Sequence, residues 1–244
     1  MVFPVIFGKQ VLLTGSQRRI AVSNGTFDPP HQGHVLMLQE AIRQYKFDTV
    51  YFLPGNNPNL KPNRTPFEFR IPMVKAMADY LSNQNGCQKT RYKVSEAYKD
   101  APHLMASLRK LFPDLKNRTE KIPYICGTDE VIFSQDEKKL LQAFVSTENA
   151  IEFYNKFVPV INKRNGSPVP TSISIGGKKI EFDYVLIKPS PYDPQISSTL
   201  MRAGLTQPHR TLQQISSLIP RPVMNVIHSL GLYQPKTQPL KLTA

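Results

Sequence analysis

A doubly wound, parallel α/β sheet followed by a C-terminal helical region is the fold class this sequence predicts. Three observations lead there. Short apolar runs recur along the chain and stop abruptly at polar, glycine-containing loops, as strands buried on both faces do. Stretches of helical periodicity separate these runs, and strands alternating with helices make right-handed crossovers between parallel neighbours. With 244 residues and 40% hydrophobic side chains, the chain is long enough to cover both faces of such a sheet. In a Rossmann-like sheet of this kind, ligands collect where loops leave the carboxyl ends of strands.

Residues 1–18 read as an N-terminal extension. Met1–Phe7 is apolar but has no basic stretch before it and ends near Lys9, so it does not read as a signal peptide. Arg19–Ser23 is the first strand and halts at Asn24-Gly25, a turn-favouring pair. Helical periodicity begins at Gly33 and runs through Ile42, and Thr49–Pro54 returns to a strand, completing a strand, loop, helix, strand unit. The loop Pro54–Pro66 carries Lys61 and Arg64. A helix follows over Phe69–Ala78, with Pro72 tolerable only in its first turn.

Residues 103–111 form a second amphipathic helix, and Ile122–Cys126 is a strand that ends in the loop Gly127-Thr128-Asp129. Residues 134–150 are charged and helical in pattern, Phe157–Ile161 is a strand, and Asn162–Gly177 reads as a mobile loop or small hairpin. Phe182–Ile187 closes the strand set. A helix starts at Ile196–Arg202, with hydroxyls where unpaired backbone N–H groups favour an anion, and another covers Ile219–Leu230. The domain is therefore expected over 19–233, with 234–244 a flexible tail.

A net charge of +13 suits a nucleic-acid binder, but equally an enzyme whose substrates carry several phosphates. The basic residues are scattered, without a recognition signature, so nucleic acid is not the expected partner. Cys87 and Cys126 lie far apart, with no C-x-x-C pair and no zinc-type spacing, so neither a disulfide framework nor a metal site is expected. No run is long enough to cross a bilayer, which points to a cytoplasmic protein; a homo-oligomer is left open.

The densest cluster of chemistry-bearing residues is Gly25-Thr26-Phe27-Asp28-Pro29-Pro30-His31-Gln32-Gly33-His34, which combines a close-approach glycine, two histidines three apart and a helix start. Transfer of a phosphorus-centred group needs that centre fixed in line with the attacking oxygen and its developing charge stabilised, and imidazoles and helix N–H groups are suited to both. As zinc ligands, His31 and His34 have the wrong spacing for the common helix motif and lack an evident third ligand. Other readings stay open: Ser197 and Thr199 as helix caps, Asp129 as an N-cap, and Lys61 and Arg70 as solvated charges.

These ten residues, with Ile196-Ser197-Ser198-Thr199-Leu200-Met201-Arg202, resemble the paired signatures of the His-x-Gly-His nucleotidyltransferases. With His31 in first place, they are similar to the nicotinate and nicotinamide mononucleotide adenylyltransferases. Lys61, Phe67-Glu68-Phe69-Arg70, Gly127-Thr128-Asp129 and Ile219–Tyr233 resemble further motifs of the nicotinate branch, so the likeness spans roughly residues 19–233.

The resemblance implies transfer of AMP from ATP to nicotinate mononucleotide, giving the dinucleotide and pyrophosphate in NAD biosynthesis. The alternatives are another phosphorylated acceptor, such as nicotinamide mononucleotide, or a nucleotide-binding protein without turnover. It also implies ATP and a pyridine mononucleotide as partners, with Mg²⁺ accompanying ATP. Carried over by position, His31, His34 and Arg202 would be catalytic. Gly25, Thr26, Phe27, Gly127, Asp129, Ser197, Ser198 and Thr199 would bind ATP, and Lys61 and Arg70 would meet phosphate or acceptor. Two departures fall on the acceptor side: the family's hydroxyl-rich stretch is replaced at residues 101–108, and the chain has no Trp, leaving Phe133, Phe144 or Phe153 to stack on a pyridine ring.

Overall fold

A computed structural model of the chain describes residues 9–15, 19–57, 60–101, 103–162, 168–187, 196–206, 215 and 217–234. Its centre is a six-stranded, wholly parallel sheet made of β1 (Ile20–Gly25), β2 (Thr49–Pro54), β3 (Arg91–Val94), β4 (Ile122–Gly127), β5 (Phe157–Asn162) and β8 (Val185–Ile187). The spatial order is β3-β2-β1-β4-β5-β8. The chain moves outward from β1 through β2 to β3, then returns to pair β4 on the other side of β1. That reversal opens a crevice at the carboxyl ends of β1 and β4, so the loops after Gly25 and Gly127 face each other across it.

Alternate strand residues serve opposite faces. Ala21, Ile125 and Val160 enter one core with α1 (Gln32–Tyr45), most of α2 (Phe67–Ser82), α6 (Ser198–Leu205) and α7 (Arg221–Ser229). Val22, Tyr124, Cys126 and Ile161 enter the other with α3 (Leu104–Leu111), α4 (Glu137–Phe144) and α5 (Thr147–Lys156). Burial on both faces explains the near-continuous apolar runs of the central strands. The predicted α/β, doubly wound class is the one observed, C-terminal helices included.

Local chemistry modifies several expected elements. The helical stretch 134–150 divides into α4 and α5, because the chain turns at Val145, which adopts φ +72°. Ser146 then caps α5, its hydroxyl accepting the Asn149 N–H at 3.3 Å. Pro72 sits in the second turn of α2, not the first. Its missing N–H leaves without a helical donor only the carbonyl of Glu68, an exposed residue that water can reach. Part of the Asn162–Gly177 segment forms a hairpin, β6 (Ser172–Ile175) with β7 (Lys178–Glu181), turning at two glycines of positive φ. Residues 9–13, expected as extension, lie against the domain. Gln10 bridges Tyr184, and Leu13 is buried in the first core. Residues 235–244 of the expected tail lie outside the described residues.

Candidate active site at the sheet switch point

The loop after β1 is held from four directions. Asp28, fully buried, accepts hydrogen bonds from the Tyr233 hydroxyl (2.5 Å), the Thr65 N–H (3.1 Å) and Arg202 (3.4 Å). Arg202 also donates to the Asp28 carbonyl at 2.6 Å, and the Ser198 hydroxyl donates to the Pro29 carbonyl at 3.1 Å. These bonds bring the second signature, on α6, onto the first, although about 170 residues separate them. The α1 N-terminus is anchored too, because Gln32 N–H donates to the Leu218 carbonyl at 2.7 Å.

His31 is buried at the N-cap of α1, and its ring lies 3.8 Å from that of His34 between centroids. The His31 N–H donates to His34 Nδ1 at 3.2 Å. An Nδ1 that accepts a hydrogen bond carries no proton, so the neutral ring holds its proton on Nε2, the tautomer that donates from that nitrogen. Gly33 permits this packing: a Cβ there would stand 3.0 Å from the His31 ring. Phe27, at φ +51°, is buried with its ring 5.0 Å from that of His34, walling the pair on the sheet side.

Beside the histidines lies a cavity of about 650 Å³, within the size range of small-molecule sites. The β1 loop contributes Asn24, Gly25 and Thr26; the β2 loop contributes Gly55, Asn57, Leu60, Lys61 and Arg64; the β4 loop contributes Thr128, Asp129 and Glu130. Of the residues expected from sequence, Gly25, Thr26, Lys61 and Asp129 line it directly. His31, His34, Ser198 and Arg202 gather at the adjoining loop. Ser197 caps α6, its hydroxyl accepting the Leu200 N–H at 3.2 Å, and Thr199 Oγ1 lies 3.3 Å from Arg202. Gly127 ends β4 just before the lining residues.

Arg70 is a correction. It was expected to meet phosphate or acceptor, but it is fully buried, and its guanidinium is consumed by the protein. It donates to the carbonyls of Thr65 (2.9 Å), Thr26 (2.7 Å) and Gly55 (2.9 Å) and to Asn56 Oδ1 (3.1 Å). Burial pulls its pKa down to about 10, which leaves it protonated at neutral pH. It braces the β1 and β2 loops against each other. Of the three candidate stacking residues, Phe133 lines the cavity, whereas Phe144 and Phe153 are fully buried in the second core. Tyr98 and Tyr124 also line the cavity and were missed: Tyr124 lies within an apolar strand run that reads as core, and Tyr98 lies in the polar stretch Ser95–Asp100, where no motif marks it. Burial raises the pKa of both hydroxyls.

The cytidylyltransferase-like family matches residues 22–204, the stretch from β1 into α6. The chain is 24% identical over 223 residues to the nicotinate-nucleotide adenylyltransferase of Bacillus subtilis, covering 89% of this chain and 99% of that protein. It is 29% identical over 222 residues to the probable nicotinate-nucleotide adenylyltransferase of Clostridium kluyveri, covering 88% and 98%. The Plasmodium falciparum nicotinic acid mononucleotide adenylyltransferase, solved in complex with NaAD, shares the fold at a TM-score of 0.60 and 19% identity, covering 88% of this chain and 97% of that one. The chain belongs to the cytidylyltransferase-like family of nucleotidyltransferases, and within it is similar to the nicotinate-nucleotide adenylyltransferases.

Proposed function

We propose that this chain transfers the adenylyl group of ATP to nicotinate mononucleotide, forming the dinucleotide and releasing pyrophosphate. The observation that carries the reading is the meeting of His31 and His34 with Ser198 and Arg202 at the sheet switch point, beside a cavity large enough for a mononucleotide. An oxygen of the acceptor phosphate attacks the α-phosphorus of ATP. The new P–O bond forms in line with the breaking one, and pyrophosphate leaves with its electron pair. His34, donating from Nε2, and the positive end of the α1 dipole stabilise charge on the α-phosphate. Ser198, Thr199 and Arg202 hold the β- and γ-phosphates, and Asp129 takes the ATP ribose. Tyr98 and Phe133 offer the pyridine ring aromatic surface in place of the absent Trp.

Mg²⁺ would accompany ATP as its counter-ion, held by the triphosphate, and would supply charge neutralisation there. The donors around the histidines are imidazole, hydroxyl and guanidinium, a set suited to phosphate oxygens and not the oxygen-rich cage a hard cation takes. Among the described residues no helix is long and apolar enough to cross a membrane. The test is pyrophosphate release from Mg-ATP with nicotinate and nicotinamide mononucleotides in parallel, each product identified by mass. A dinucleotide from nicotinate mononucleotide, formed in step with pyrophosphate, supports the proposal. Silence with both acceptors while ATP binds overturns it.

A further inference from the structure

Building on the adenylyl-transfer reading, we infer that Arg64 is the residue that reads the negative charge of the acceptor. Arg64 lies on the loop after β2 and lines the cavity. Its Nη1 donates to the Asn57 carbonyl at 2.6 Å, while the buried Asn57 side chain donates to the Gln142 carbonyl of α4 at 2.5 Å. The guanidinium is thus held to a loop that is itself tied across the cavity to α4, so it is oriented before any ligand arrives.

Its charge has no counter-ion among the described residues. The partner it holds is a neutral carbonyl. Asp28 acts on it through the field, but hydrogen bonds from Tyr233, Thr65 and Arg202 already occupy that carboxylate. Partial burial, which lowers the Arg64 pKa, makes the uncompensated charge costly and an incoming anion correspondingly favourable.

The other cations near the cavity are placed differently. Lys61 is exposed, Lys139 is exposed and pairs with Asp136 at 3.7 Å, and Arg70 is used up by backbone carbonyls. The planar guanidinium fork matches a carboxylate or a phosphate in two parallel hydrogen bonds, and the acceptor carries both groups.

The experiment uses the full chain and its Arg64→Gln and Arg64→Lys variants, with steady-state pyrophosphate release from Mg-ATP against each of the two pyridine mononucleotides. An acceptor that is not turned over is read as a competitive inhibitor. Arg64→Gln is expected to raise the acceptor KM or Ki by roughly ten- to a hundredfold, the worth of a charge-assisted hydrogen bond. The KM for ATP and the unfolding temperature should stay in place. Arg64→Lys should fall between, keeping the charge but not the fork. A rise confined to nicotinate mononucleotide identifies the ring carboxylate as the group read, and an equal rise with both identifies the phosphate. An unchanged acceptor constant, or a rise in the ATP KM instead, overturns the assignment. If the parent protein turns over neither acceptor, the adenylyl-transfer reading itself fails; if it turns over but the variants are indifferent, only the role of Arg64 does.

Discussion

Replacing Arg70 separates a brace from a ligand contact. The side chain is fully buried, and its guanidinium makes four hydrogen bonds that join the β1 loop at Thr26 to the β2 loop at Gly55, Asn56 and Thr65. Arg70→Met keeps much of the volume but removes every donor. Each carbonyl left unpaired and shielded from water costs about 1–3 kcal/mol. Because the loops can relax and admit water to some of these groups, the total falls short of the simple sum, and about 3–5 kcal/mol is expected. For a chain of this size that corresponds to a fall in Tm of roughly 10 °C. Urea unfolding followed by far-UV circular dichroism measures it as a drop in the midpoint at constant slope. Turnover falls as well, because Thr26 and Gly55 flank the cavity. A variant within about 1 kcal/mol of the parent that instead shows a raised KM for ATP or acceptor would refute the reasoning, since the guanidinium would then have been facing ligand.

Other perturbations test other parts of the structure. His34→Ala should lower kcat by roughly two to three orders of magnitude, as loss of a preorganised donor does, and a loss below about tenfold in a stopped pyrophosphate assay would remove His34 from that role. A Cβ at Gly204 would stand 1.4 Å from Ile215 Cδ1, so Gly204→Ala forces Ile215 to a new rotamer and should cost about 1–3 kcal/mol, read as a lowered Tm. Cys87 and Cys126 are both buried with pKa values raised by that burial, so neither should react with a thiol reagent at neutral pH until urea unfolds the protein. Labelling of either in the native state would contradict the packing.

The contrast between what the sequence revealed and what it concealed follows from which interactions are local. His31 and His34 were legible because three residues of spacing at a strand-to-helix junction place both rings over one helix turn, whatever the rest of the chain does. The central strands were legible as buried runs. Strand β3 was not, because Arg91–Val94 is a four-residue edge strand in which exposed Arg91 and Lys93 alternate with partly buried Tyr92 and Val94, too short a pattern to stand out and without an apolar run. Arg64 and Arg70 make the sharpest case. Six residues apart in one basic segment, they are alike in composition terms, and the resemblance pointed to Arg70. The β2 strand fixes where the segment starts, and helix α2 turns position 70 inward onto the carbonyls of Thr26 and Gly55, residues that approach only once β1 and β2 have paired. Arg64, still on the loop, is aimed by Asn57, whose own direction depends on α4 some 85 residues later. Catalytic residues set by one local turn can be read from a linear pattern, whereas a pocket walled by three loops acquires its specificity from the way those loops close on one another. Tyr98 and Phe133 reach the cavity from outside residues 101–108, so aromatic surface stays on its wall despite the divergence of that stretch and the absence of Trp.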